Sequence, residues 1–129
     1  MSTLLMLQPL LLHLPNNMKR YAANKIYLSE DNYYTNAIIE LDDNHTLTNV
    51  MLLSDSLELP STPFFNGIIL PFDASYCKAH LQNSWHESLH AIFNHHAFKP
   101  GDTIPRLSLL SGKLLLSQED IETIQIQNL

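Results

Sequence analysis

Short apolar segments separated by turn residues make up most of the chain, and this pattern predicts a mainly β fold. The runs at 21–28 and 33–41 are separated by four polar residues, and the polar residues 42–44 follow the second run. Polar turns at these intervals predict a meander whose third strand covers 46–53. A continuous apolar run at 64–71 predicts a strand that is buried on both of its faces.

Further strands are predicted near the end of the sequence. Runs at 106–110 and 114–116 are separated by Gly112, and a last run covers 122–129. In that last run isoleucines alternate with polar residues, which is typical of a strand with one buried face. We therefore predict a composite β-sandwich of N- and C-terminal strands, with residues 18–129 forming a single domain.

A helical insertion is predicted over residues 74–99. Four apolar residues recur there at helical spacing and share one helical face: Leu81, Trp85, Leu89 and Ile92. Ser84 and Glu87 match a capping box, which places the helix start directly after Ser84. The sequence Lys-Pro-Gly at 99–101 ends the helix, so one inserted α-helix is predicted at about residues 85–98. Residues 74–83 are left as a loop or a separate turn.

Residues 1–17 form a leucine-rich apolar segment ahead of the predicted domain. This segment is too short to span a bilayer, so no membrane span is predicted. The positive pair Lys19 and Arg20 follows the apolar run instead of preceding it, which argues against a secretory signal. We expect a leading strand or extended segment that packs on the domain or on a second copy of the chain.

Composition and charge narrow the classes of function. The chain has 129 residues, of which 45% are hydrophobic and 16% are charged, as expected for one globular domain. Its formal net charge is -6, and no lysine or arginine occurs between Ile26 and Cys77, so a phosphate backbone would be repelled. Nucleic acid is therefore not expected as a partner. The single cysteine, Cys77, cannot form an internal disulfide, which favours a cytoplasmic location.

The predicted helix carries a pattern typical of zinc peptidases. Five of the seven histidines lie between His80 and His96, and His86, Glu87 and His90 match the HExxH motif. On a helix the two motif histidines are one turn apart, so both can bind one zinc ion while Glu87 deprotonates the bound water. The candidate third ligands are His80, His95 and His96.

A structural interpretation competes with the zinc site. Glu87 lies three residues after Ser84, where a capping box would engage its carboxylate. The two motif histidines flank the apolar face of the helix, where half-buried, hydrogen-bonded histidines are ordinary. Cys77 and His80 have a C-x-x-H spacing that suits a closed zinc site, but the chain has no second cysteine. The sequence favours the structural interpretation without a cofactor and keeps zinc as the alternative.

Two stretches resemble the β segments of a known family. Residues 20–71, which include the run Asn-Gly-Ile-Ile-Leu-Pro at 66–71, are similar to the N-terminal strands of cyclic amidohydrolases and deaminases. Residues 105–110 and 122–129 resemble the C-terminal strands of that family, which complete a small β-sandwich after the catalytic barrel. The resemblance implies that the chain corresponds to this composite sandwich.

The same resemblance implies that the catalytic part of the family is missing. A (β/α) barrel needs about two hundred residues or more, and only about thirty separate Pro71 from Pro105. In the family a histidine-x-histidine metal pair follows the N-terminal strands. The corresponding positions here hold Tyr76 and Lys78, so no metal ligand is carried over.

Two functions remain after these arguments. The first is a non-catalytic binding or structural module that resembles the auxiliary sandwich of metal-dependent amidohydrolases and forms a homo-oligomer or binds a protein partner. The alternative is a small metal-dependent hydrolase that uses His86, Glu87 and His90. A sheet face without its barrel must be covered, and we expect the Trp85 face of the helix to cover it, aided by residues 1–17 or a second subunit. The sequence therefore favours a protein that is not an enzyme.

Overall fold

A short helical insertion separates the first four described strands from the last two along the sequence. The structure is a computed structural model that describes residues 18–55, 62–112 and 124–129. The described strands are β1 (Lys19–Tyr27), β2 (Tyr33–Leu41), β3 (Leu47–Leu52), β4 (Phe64–Leu70), β5 (Ser108–Ser111) and β6 (Gln125–Asn128). Between β4 and β5 lie the helices α1 (Ala74–Ala79) and α2 (Trp85–Phe93), and a 3₁₀ turn at Leu53–Asp55 follows β3. The predicted mainly β fold is confirmed.

The strands form one mixed sheet in the order β3-β2-β1-β4-β5-β6. Strands β1 and β4 are parallel, and the other neighbouring strands are antiparallel. Ile69 of β4 pairs with Leu109 of β5, so the helical insertion connects two strands that lie side by side. The N- and C-terminal strands therefore join in one structure, as the sequence predicts, but they form a single mixed sheet where the sequence predicts a sandwich.

The predicted meander of β1, β2 and β3 is present. Its second turn is held by the carboxylate of Asp42, which accepts hydrogen bonds from the backbone N–H groups of Asn44 and Thr46 at 2.8 and 2.9 Å. An aspartate that bonds the backbone two residues ahead is a common way to stabilise such a turn. Antiparallel pairing of Ile39 with Val50 follows directly from this turn.

Apolar side chains are buried on both faces of the sheet. One core, the helix-side core, joins the sheet to the helices and includes Tyr27, Ile68, Leu70, Trp85, Leu89, Ile92, Phe93, Leu110 and Ile126. The second core lies on the opposite face and includes Ala23, Ile26, Ile39, Leu41, Leu47, Ile69, Ile104, Leu107 and Leu109. Adjacent residues Ile68 and Ile69 belong to different cores, which confirms that β4 is buried on both faces.

The second core is closed by the segment that precedes β5. The backbone N–H of Leu47 donates to the carbonyl oxygen of Asp102 at 2.8 Å, and that of Ile104 donates to the carbonyl oxygen of His45 at 2.7 Å. These bonds connect the turn after β2 and the start of β3 to the segment at 101–104. The predicted sandwich thus takes the form of one continuous sheet whose two faces each have a core.

The helical insertion differs from the prediction in two details. The sequence predicts one helix that ends near residue 98, whereas α2 ends at Phe93 because Asn94 adopts a left-handed conformation with φ 48°. Residues 74–83, left open by the sequence, contain the short helix α1, whose N-cap Asp73 accepts a hydrogen bond from the Ser75 N–H at 2.9 Å.

Side-chain hydrogen bonds attach α1 to its neighbours. The Tyr76 hydroxyl donates to the carbonyl oxygen of Ile92 in α2 at 2.7 Å, and the Ala74 N–H donates to the side-chain oxygen of Asn128 in β6 at 2.8 Å. The insertion is therefore fixed both within itself and to the last strand of the sheet.

A bulge lies where β1 and β4 pair. Ala23 pairs with Phe65, and the next pair is Lys25 with Ile68. Between these two pairs β1 advances by two residues and β4 by three, so β4 contains one extra residue. At this bulge the N–H of Gly67 donates to the side-chain oxygen of Asn24 at 2.7 Å. The bulge is thus satisfied by a side chain of the neighbouring strand.

Three predicted features fall wholly or partly outside the described residues. They are the leading segment 1–17, the strand 114–116, and the first residues of the run 122–129. Of the helices in the described part of the chain, none has the length and apolar character needed to cross a membrane.

Candidate functional site

The start of α2 is fixed by the capping pair that the sequence predicts. The Ser84 hydroxyl oxygen accepts a hydrogen bond from the Glu87 N–H at 3.1 Å, and the same hydroxyl donates to Glu87 Oε1 at 3.0 Å. The Glu87 carboxylate thus contacts the Ser84 side chain, whereas a standard capping box uses the backbone N–H of the cap residue. In this arrangement Glu87 acts as a capping residue at the positive end of the helix.

The opposite side of α2 is embedded in the helix-side core. Trp85 is only 4% exposed, and its ring lies edge-on against Tyr27 with 6.0 Å between ring centroids. Ser88 is fully buried, and its hydroxyl donates to the Ser84 carbonyl oxygen while accepting a hydrogen bond from the Gln82 N–H. The helix therefore covers one face of the sheet, as the sequence predicts for the Trp85 face.

The two motif histidines lie on the exposed side of α2. His86 and His90 line a shallow depression of about 480 Å³ together with Gln82, Glu87 and Ala91. His90 Nδ1 is 2.9 Å from a carboxylate oxygen of Glu30, a residue of the turn between β1 and β2. A carboxylate at Nδ1 fixes the imidazole and leaves Nε2 facing away, an orientation that zinc-binding histidines also use.

The three candidate third ligands make different contacts, and one of them, His95, lies beside the motif histidine His90. His80 Nδ1 is 2.7 Å from the Tyr76 carbonyl oxygen, and the His80 ring lies against the Tyr76 ring. The His95 ring is perpendicular to the His90 ring at 5.0 Å, and His96 packs against Phe98 at 4.4 Å. Within residues 18–55, 62–112 and 124–129, no group of three His, Cys, Asp or Glu side chains is arranged to hold a metal ion.

These contacts bear directly on a catalytic zinc site. Such a site needs three protein ligands and an open position for water. His86 and His90 supply two exposed imidazoles on one helical face, and the His95 ring lies 5.0 Å from the His90 ring. Glu87, which the motif would use as its general base, is hydrogen-bonded to the Ser84 side chain.

Cys77 belongs to the helix-side core and not to the surface. Its side chain is fully buried, and Sγ lies 3.3 Å from the hydroxyl oxygen of Ser108. Burial raises the pKa of the Cys77 thiol, the hydrogen bond to Ser108 opposes this shift, and the charge of Asp73 adds to it. A buried thiol with a raised pKa behaves as a small apolar side chain. In this structure Cys77 contacts the Ser108 hydroxyl, and His80 contacts the Tyr76 carbonyl oxygen.

A second depression was not indicated by any sequence motif. It has a volume of about 280 Å³ and lies where the start of β1, the turn after β2 and the segment before β5 meet. Lys19, His45 and Arg106 are among the residues that line it. These residues are far apart in the sequence, so only the topology of the sheet brings them together.

Comparison with solved structures finds similarity to parts of larger proteins. No family model and no curated protein sequence matches the chain. A structure provisionally described as a prolidase from Bifidobacterium longum is 12% identical, with a TM-score of 0.32, over 50% of this chain and 19% of that chain. Guanine deaminase from C. acetobutylicum, with guanine bound in its active site, is 17% identical, with a TM-score of 0.29, over 62% of this chain and 21% of that chain. Both are amidohydrolase-family proteins, and the matched region spans about a fifth of each.

Proposed function

We propose that this chain is a non-catalytic binding or structural module, similar in strand arrangement to the auxiliary sandwich of amidohydrolases. The observation that carries the proposal is the direct pairing of β4 with β5, which places Ile69 opposite Leu109. In an enzyme of that family the catalytic barrel would lie between these two strands, and a barrel of this type needs about two hundred residues or more. Here two short helices take its place and cover the sheet.

The contacts of α2 support a structural role for the histidine-bearing helix. Its buried side fills the helix-side core through Trp85, Leu89, Ile92 and Phe93. Its exposed side uses Glu87 to cap the helix and His90 to contact the turn at Glu30. Both motif residues with a described hydrogen bond, Glu87 and His90, therefore contact a residue of the fold itself.

The alternative function is a small metal-dependent hydrolase that uses His86, Glu87 and His90. One observation favours it: the three side chains line the same depression, with the His90 ring oriented by Glu30. In that function a third ligand would come from His80, His95 or His96. The two functions differ in metal content, because the hydrolase requires about one zinc ion per chain and the module requires none.

We propose further that the module self-associates in the cytoplasm. The location is supported by Cys77, a free and buried cysteine in a chain that has no second one. Self-association is supported by large apolar side chains that stay exposed, among them Leu52 on the edge strand β3, which is 40% exposed. An exposed apolar residue on an edge strand favours pairing with the same edge of a second copy.

Self-association predicts a concentration-dependent mass in solution. Static light scattering across a broad dilution series is expected to show masses above that of one chain at high concentration. Leu52→Lys is expected to shift the protein to the monomer, because it places a charge on the apolar edge. Ala79→Lys, which adds the same charge at an exposed position of α1 away from the edge strand, is the matched control and is expected to leave the mass unchanged. A monomer at every concentration would contradict self-association.

A further inference from the structure

Three basic side chains from separate elements line the depression of about 280 Å³. Lys19 lies at the start of β1, His45 in the turn between β2 and β3, and Arg106 in the segment before β5. All three residues are exposed, and Tyr21 of β1 lines the same depression. The lining surface is mainly polar, so the depression suits a polar ligand.

The apolar residues of this depression lie behind its polar surface. Leu41, Ile104 and Leu107 are at most 3% exposed and belong to the closed second core. They hold the shape of the depression, whereas the basic side chains around it determine its chemistry.

The positive charges of Lys19 and Arg106 are not paired within the described part of the chain. No carboxylate oxygen of residues 18–55, 62–112 and 124–129 lies within 4.0 Å of either side chain. By contrast, Arg20 and Lys99 each form an ion pair, and Lys25 lies over a tyrosine ring. None of the described residues that line the depression is an aspartate or a glutamate. Charges of one sign around a concave surface raise the local concentration of the opposite ion, even on a protein with a net charge of -6.

We propose that this depression binds a small phosphate monoester, whose phosphate group is held by Lys19 and Arg106. A phosphate group has three terminal oxygens that accept charge-assisted hydrogen bonds, so an ammonium, a guanidinium and the His45 imidazole can each bond a different oxygen. A volume of about 280 Å³ lies near the lower end of small-molecule sites, which leaves room for a small polar body beside the phosphate. This inference goes beyond the proposed function and does not depend on the role of α2.

The probe for this site is glycerol 3-phosphate, titrated into the isotope-labelled full chain at constant ionic strength and followed by amide chemical shifts. We expect saturable shifts at the amides around the depression, namely those of residues 19–21, 45–46 and 106–107. Lys19→Gln and Arg106→Gln are each expected to weaken binding about fivefold, because each variant loses one charged donor. Lys78→Gln, which removes one exposed positive charge on α1, is the control and is expected to bind as the parent does.

Two simpler ligands test the two parts of the proposed monoester. Inorganic phosphate carries the charged group without the polar body, and glycerol carries the polar body without the charge. We expect inorganic phosphate to bind more weakly than glycerol 3-phosphate, and glycerol to cause no saturable shift. Equal affinity for inorganic phosphate and glycerol 3-phosphate would contradict a monoester site.

The single variants separate this depression from its neighbour. Arg106 also lines a second depression with Phe72, Tyr76 and Phe98, whereas Lys19 does not. Weaker binding in Lys19→Gln therefore supports the proposed site. Unchanged binding in Lys19→Gln, an equal loss in Lys78→Gln, or no saturable shift in the parent would overturn it.

Discussion

Replacing Trp85 with alanine is expected to lower the free energy of unfolding by about 3–5 kcal/mol. The side chain is 4% exposed and packs against Tyr27, with its indole nitrogen 3.5 Å from the tyrosine hydroxyl. Its removal leaves a cavity between α2 and the sheet and takes away the aromatic contact. Because small domains are stable by only about 5–15 kcal/mol, this loss removes a large part of the total.

Urea denaturation followed by circular dichroism measures this change. His86→Ala, at the next and exposed position of α2, is the matched control and is expected to change the unfolding free energy by less than about 0.5 kcal/mol. Trp85→Phe keeps an aromatic ring in the core and is expected to lose less unfolding free energy than the alanine variant. If Trp85→Ala does not fold, the unfolding free energy of Trp85→Phe is compared with that of His86→Ala instead. Equal effects of Trp85→Ala and His86→Ala would show that α2 does not cover the sheet.

Gly67→Ala is expected to destabilise the protein by about 3 kcal/mol, the upper end of the usual cost of overpacking. A Cβ atom at this position would clash with the backbone carbonyl oxygen of Leu110 and lie 2.8 Å from Leu109 Cδ1. Leu109 and Leu110 both pair with β4, so their backbone cannot move away without separating β4 from β5. The substitution therefore acts at the junction between the N- and C-terminal strands.

The cost of the clash is measured by comparing the thermal unfolding of Gly67→Ala with that of Asn66→Ala. Asn66 is the preceding residue of β4 and is exposed, so its alanine variant changes the same strand without introducing a clash. We expect a clear fall of the midpoint temperature for Gly67→Ala and little change for Asn66→Ala. If both variants unfold at the temperature of the parent, β4 and β5 do not approach each other as described.

Local signals in the sequence predict the elements well. The apolar run between two polar turns gives β2 with its observed bounds, Tyr33–Leu41, and Ser84 with Glu87 gives the start of α2. The end of α2 is less accessible, because Lys-Pro-Gly at 99–101 is a stronger stop signal than Asn94. Asn94 ends the helix by adopting a positive φ. Asparagine adopts this conformation more readily than most residues, but the sequence alone does not indicate which asparagine will do so.

Contacts between distant segments could not be read from the sequence. The parallel pairing of β1 with β4 depends on two apolar runs that could equally have paired with other strands. The contact of His90 with Glu30 joins residues that are 60 positions apart, and no periodicity indicates it. The sequence therefore identifies the histidine-bearing face of α2 but not the partners that define its chemistry.

The zinc content of the protein tests most directly whether α2 is a structural cover or a catalytic helix. Protein purified without added metal is analysed by mass spectrometry, together with His90→Ala and with His45→Ala, which removes a histidine outside the motif. We predict far less than one zinc ion per chain in the parent, with no difference between the variants. About one zinc ion per chain in the parent and in His45→Ala, lost in His90→Ala, would contradict the structural role of the helix.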